Sequence, residues 1–270
     1  MESKLRATWI FGTLTALSAA ALALVPRIPQ PQDYHDFADQ RAFLGIPNAC
    51  DVLSNVGFLV VGVLGLIWLA RRGTIEFADV RERTAWNVFF AGVALTAFGS
   101  GYYHLKPNDA TLVWDRLPMT LGFMGVFAAN ISERVSPKLG RSLLWPLVAF
   151  GGASVAYWIW TETSGAGDLR PYFFVQFYTL AAIPLLLWLF RPRYTHGPLY
   201  LTVLGGYVAA KLTEIADRPI FAATGSFVSG HTIKHIFAAV GAGILLGMLL
   251  KRKALLGAEA LEERAATAAV

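Results

Sequence analysis

The sequence predicts an all-α, polytopic membrane protein: a seven-helix transmembrane core preceded by one extra N-terminal transmembrane helix. Three observations predict it. Apolar residues make up 55% of the 270 residues and charged ones only 15%, with a mean hydropathy of +0.49, too apolar for a water-soluble domain of this length. Eight apolar runs follow one another, near 8–26, 48–70, 85–105, 112–132, 143–161, 172–190, 198–216 and 230–250, each close to the roughly 20 residues a spanning helix needs. Backbone groups in lipid must bond within their own segment, so such runs have to be helices. Finally, the basic residues alternate between loops. One set of segments holds fourteen (Lys4, Arg6, Arg71, Arg72, Arg81, Arg83, Arg134, Lys138, Arg141, Arg191, Arg193, Lys251, Arg252, Lys253) and the other six (Arg27, Arg41, Lys106, Arg116, Arg170, Arg218). That asymmetry predicts eight spans with both termini cytoplasmic. The net charge of +5 is then a topology signal and not a nucleic-acid footprint.

In chain order, the first run follows MESKLR and shares that arrangement with a secretory signal peptide. Its apolar part, about 19 residues, exceeds the usual h-region of roughly 7–15, and ALVPRIPQPQ offers no small-x-small cleavage site. An uncleaved anchor is expected; cleavage would leave seven spans and an outer N-terminus. Residues 1–47 are therefore read as this helix plus an outer acidic loop, 48–253 as the seven-helix core, and 254–270 as a cytoplasmic tail of helix-forming composition. Trp9, Trp68, Trp86, Trp114 and Trp145 fall near run ends, as interfacial anchors do. No repeat and no Gly/Ser linker divides the chain.

The polar exceptions carry the chemistry. His231 and His235 are four residues apart at the start of the eighth run, which puts both imidazoles on one helix face. His104 ends the third run, with Ser100 one turn before it, and Asp115 follows eleven residues on, near the start of the fourth. The alternation of the runs places all five at one level, near the outer side. Ionisable groups at that depth are expensive unless they serve a site.

Three histidines are a catalytic zinc pattern, leaving a fourth position for water. With Cys50 the only cysteine, neither a thiolate zinc site nor an internal disulfide can form. Neutral imidazoles leave the cation's charge undiminished, so its water ionises near pH ~7. Asp115 can take that water's proton and hand it to a leaving amine, and Ser100 can donate to the developing oxyanion. These roles specify hydrolysis of an amide or ester whose tail lies in the bilayer.

The chain resembles the alkaline ceramidases, within the superfamily of seven-helix membrane hydrolases that also contains the adiponectin and progestin receptors. The resemblance runs over 36–250 and rests on SxxxH (Ser100 to His104), D-x-L-P-M (Asp115 to Met119), HxxxH (His231 to His235) and DVLSN (Asp51 to Asn55). It implies zinc on His104, His231 and His235, assistance by Ser100 and Asp115, and cleavage of ceramide, or a related N-acyl lipid, to a fatty acid and a sphingoid base or amine. D-x-L-P-M points to the ceramidase branch; the alternative is a receptor-like protein with a structural zinc. Calcium is a further implied cofactor, with Asp36, Asp39, Asn48 and Asp51 as candidate ligands, although Asn48 stands where the family has Glu and the segment is shorter. The expected partners are the bilayer and its lipid substrate; nucleic acid is not among them, and the oligomeric state is not legible.

Several polar residues have plainer readings. Lys211 and Glu214, three apart, are expected to pair on the inner face of the seventh run. Asp217 and Arg218 are expected to form a solvated pair, and Lys234 to snorkel to the outer surface in preference to neutralising a carboxylate. His35 and His196 fall in loops, His196 on the cytoplasmic side.

Overall fold

The computed structural model describes residues 2–71 and 73–255. The expected tail lies, from 256 on, outside the described residues, as do Arg72 and the side chain of Lys4 from the charge count. Every one of the eight apolar runs is helical. The long helices are α1 (Glu2–Leu24), α4 (Glu82–Leu105), α5 (Asp109–Arg134), α6 (Pro137–Thr163), α9 (Leu199–Ile215) and α11 (Gly230–Lys251). Two runs are interrupted. The second is α2 (Ala49–Ser54) followed by α3 (Val56–Ala70), and the sixth is α7 (Arg170–Phe173), a π-helical turn at Phe174–Tyr178 and α8 (Thr179–Leu189). A short α10 (Asp217–Ala223) precedes α11. No strand occurs among the described residues, only two isolated bridges.

Among the described residues, five segments are long and apolar enough to cross a membrane: Leu5–Leu24, Ala49–Ala70, Pro137–Thr163, Arg170–Leu189 and Gly230–Lys251. The other three runs fall short of that measure, α9 because it has only 17 residues and α4 and α5 because they are less apolar. Ser100 and His104 are on α4 and Asp115 and Arg116 on α5, so these two helices carry buried polar groups into the bundle. Large apolar side chains such as Leu64, Phe98, Trp145, Trp188 and Leu212 point outward, as a surface solvated by lipid requires.

The break between α2 and α3 is built by Asn55, whose amide donates to the carbonyl of Asp51 at 2.7 Å and so competes with the helical ladder. A tight connection reverses the chain between α4 and α5. Asn108 caps α5 by accepting from Thr111 N at 3.0 Å, and Thr111 Oγ1 accepts from Asn108 N at 3.2 Å. This hairpin returns the chain beside His104, which explains why Asp115, eleven residues later, lies at the same end. Pro118 removes the backbone donor that Trp114 O would receive inside α5. Gly99 of α4 packs on that carbonyl, where a Cβ would come within 1.9 Å of it. The absent side chain thus allows a close backbone approach between the two helices beside Ser100 and Asp115.

The main core joins α3, α4, α5 and α11 through Trp86, Phe89, Phe90, Leu245 and Leu249. α1 lies at the periphery: Ala7 is buried, Phe11 meets Phe127, and Thr15 hydrogen-bonds Tyr178.

Candidate metal centre and catalytic pocket

His104, His231 and His235 are all buried and converge, with their ligand atoms within 4.8 Å of one another. Nε2 of His104 and Nε2 of His231 are 3.3 Å apart, a separation that suits two ligands at about 2.0–2.1 Å around one tetrahedral ion. The chemistry of the donors fits as well. Ser54 Oγ donates its hydrogen to Asp51 O at 3.0 Å and lies 2.7 Å from His235 Nδ1. With that hydrogen on Asp51 O the hydroxyl is free to accept from Nδ1–H, the arrangement that leaves the lone pair of His235 on Nε2 for a cation. Three buried nitrogen donors can therefore hold a metal ion here.

The helix entry that presents His231 is heavily tied down. Ser229 caps α11, accepting from Thr232 N at 3.0 Å, and the Asp217 carboxylate accepts from His231 N at 2.8 Å, an anion at a helix N-terminus. Asp51 accepts from Thr232 Oγ1 at 2.6 Å, locking α2 to the same turn. Gly230 lets the helix start against α9, since a Cβ there would meet Thr213 O at 2.1 Å.

Residues 27–47 are less a separate outer loop than a cap on this centre. Phe37, 4% exposed, sets its ring 4.7 Å from that of His104 and 4.4 Å from that of His231. Ala38 N donates to Asp217 at 2.8 Å, and His35 bridges Tyr103 and Asp109 at 2.9 and 3.0 Å. The effect is to exclude water from the histidines on that side. His196, in contrast, lies in the loop before α9 and bonds Thr195.

Beside the histidines opens a cavity of about 490 Å³, within the usual range for ligand sites. Its lining includes Ser100, Asp115, Arg116, Lys234 and His235 and is otherwise largely apolar, with Val93, Val126, Ile183 and Leu245. Ser100 and Asp115 are buried, and both line the cavity. The π-helical turn contributes Gln176 and Phe177 to the wall, a distortion that recurs at functional sites.

Two expectations about charges are corrected. Lys234 does not snorkel: it turns inward, 2.9 Å from Glu214 Oε1 and 3.0 Å from His231 Nε2, because Glu214 of α9 faces it across the pocket. Lys211 does pair with Glu214, at 2.6 Å, so one carboxylate serves two ammonium groups. Asp217 and Arg218 are not a mutual pair; Arg218 instead bonds Asp36.

The candidate calcium ligands are engaged separately. Asp36 meets Arg218, Asp39 is bidentate with Arg41 at 2.7 and 2.8 Å, Asn48 donates to His104 O at 2.8 Å, and Asp51 faces Thr232. Hydrogen bonding from Arg41 holds the Asp39 carboxyl below its ordinary pKa. Among the described residues, the three histidines are the one group of three or more His, Cys, Asp or Glu side chains that converges.

Sequence reasoning missed Phe37, Ser54 as a histidine partner, and Arg116 as a pocket residue. Only Arg116 carried a signal: a guanidinium next to Asp115 inside an apolar run.

At the other end of the same helices lies a second buried polar cluster. Glu133 takes Arg252, Trp86 Nε1 at 2.9 Å and Tyr200 at 3.3 Å, while Glu82 takes Arg193 at 2.9 Å and Tyr194. Arg134, Arg193 and Arg252, read from sequence only as loop charges, are in fact parts of this packing. No protein-family model matches the chain, and comparison with curated proteins found no similar sequence.

Proposed function

We propose that the chain is an integral membrane, zinc-dependent hydrolase that cleaves the amide bond of ceramide or a related N-acyl lipid, releasing a fatty acid and a sphingoid base or amine. One observation carries the reading: three buried histidines converge, and one of them, His235, lines a largely apolar cavity whose wall also includes Ser100 and Asp115. The proposed topology has eight spans, both termini cytoplasmic and the site near the outer side, following the distribution of basic residues in the sequence.

Bound zinc would supply a Lewis acid and an activated water. The chain's own groups do the rest. The apolar wall takes the acyl chain and Phe37 keeps bulk water from the histidines, which strengthens every polar contact inside. Asp115 accepts a proton from the attacking water and returns it to the amine nitrogen as the C–N bond breaks and the C–O bond forms. Ser100 turns its hydroxyl to the carbonyl oxygen as charge develops there.

The test is metal analysis of purified protein together with fatty-acid release from labelled ceramide and a panel of N-acyl lipids. About one zinc per chain, turnover, and loss of turnover in His231→Ala and Asp115→Ala are expected. Folded, metal-loaded protein that turns over no lipid amide or ester would sink the proposal.

A further inference from the structure

Arg116 is 5% exposed and lines the cavity one residue after Asp115. Three aromatic rings cage its guanidinium, at 4.1 Å (Trp158), 4.8 Å (Tyr172) and 6.0 Å (Tyr34). Its Nη2 donates to Gln30 Oε1 at 2.6 Å, a neutral acceptor that is itself held by Glu162 through its backbone N at 3.0 Å. Nη1 is buried with no hydrogen-bond partner. Among the described residues no carboxylate forms an ion pair with Arg116, whereas Lys211 and Lys234 both have Glu214.

The rings pack around the guanidinium and leave Nη1 without a hydrogen-bond partner. A buried cation whose hydrogen-bond partners, Gln30 and Tyr172, are both neutral and which has an orphaned donor is costly unless an anion completes it. The five donors of a guanidinium suit planar or tetrahedral oxyanions, which accept at two points. Position narrows the source. A scissile amide held between Asp115 and the histidines has two substituents; the apolar wall suits the acyl chain, so the substituent on nitrogen is the one left to reach Gln30, Tyr34 and Arg116.

We propose that Arg116 binds an oxyanion, a carboxylate or a phosphate, carried on the amine half of the N-acyl lipid, so that the pocket prefers acidic N-acyl lipids to neutral ones. The inference rests on the lipid-amide reading above, and its test is separable from it because binding can be read without turnover. Equilibrium binding of three labelled lipids with one acyl chain is measured on the full chain in nanodiscs: an N-acylglycine, an N-acylethanolamine phosphate and the neutral N-acylethanolamine. The wild type is expected to bind at least one anionic lipid about tenfold or more tightly than the neutral one, the worth of one hydrogen-bonded charge. Whichever anionic arm wins identifies the oxyanion. Arg116→Gln should bring all three within about twofold, and Arg116→Lys should keep part of the preference. Equal binding of the three lipids by wild type, or a preference that survives in Arg116→Gln, overturns the assignment. If the preference holds while no amide is cleaved, the hydrolase reading fails and the anion site stands.

Discussion

Replacing Gly99 with alanine tests how the site is assembled. An added Cβ would sit 1.9 Å from Trp114 O and 2.8 Å from Trp114 C. That is about 1.5 Å short of the 3.4 Å where ordinary contact begins. The obstacle is backbone, so no rotamer change relieves it and α4 and α5 must separate locally. Overpacking of this kind costs typically about 1–3 kcal/mol, and the upper end is expected because the clash is with a carbonyl. Alanine's better helix propensity returns about 1 kcal/mol, for a net destabilisation of about 1–2 kcal/mol. Gly101→Ala is the internal control, two residues along the same helix with nothing within 4 Å of its Cβ; it should be neutral or slightly stabilising. The assay is the thermal midpoint of purified protein in one detergent, where about 2–4 °C is expected per kcal/mol. Because Ser100 and Asp115 adjoin the clash, fatty-acid release should fall further than stability does, by about 100-fold if they part by about 1 Å. Gly99→Ala as stable as Gly101→Ala would refute the close approach.

Other outcomes follow from single contacts. Ser54→Ala removes the acceptor that orients His235, so zinc affinity, read by competition with a chromophoric chelator, should weaken by about 10–100-fold; unchanged affinity would show that Ser54 does not set the tautomer. Arg252→Met leaves the Glu133 carboxylate buried against Trp86 and Tyr200 and should cost about 3–5 kcal/mol, seen as a lowered midpoint with metal content intact; a wild-type midpoint would remove Arg252 from the list of structural residues. Asp168, in the turn before α7, has its carboxyl pulled down to about 2 by hydrogen bonding from Arg170. A depressed acid stabilises the fold above its unfolded pKa, near 4, and the contribution is lost as pH falls through about 2. Thermal midpoints should therefore drop between about pH 4 and 2 in wild type and drop less in Asp168→Asn; parallel curves would contradict the pairing.

How much was legible divides along physical lines. Helix positions were, because an apolar run of spanning length in lipid has one way to satisfy its backbone. So was the grouping of His104, His231 and His235, since alternating helix direction puts the end of α4 and the start of α11 at one level. Lys234 was misread because its choice between solvent and a carboxylate depends on Glu214, twenty residues away on another helix. Phe37 and Ser54 carried no pattern: one is an apolar residue in a loop, the other a hydroxyl whose importance lies in which histidine nitrogen it meets. The apolarity of α4 and α5 was overrated for a related reason, since polar residues facing a shared pocket depress hydropathy on the helices that build it.

Composition and periodicity thus specified an all-helical chain and a set of metal-capable histidines, because burial energy and ligand chemistry act through residue type and spacing. Packing settled everything that turns on distance between separate segments: the contact of His235 with Ser54, the capping by Phe37, the sharing of Glu214 by two lysines, and the unpartnered Nη1 of Arg116. Hydrogen bonds and ion pairs reach only about 3 Å, and no spacing along the chain reports which side chains from different helices come that close.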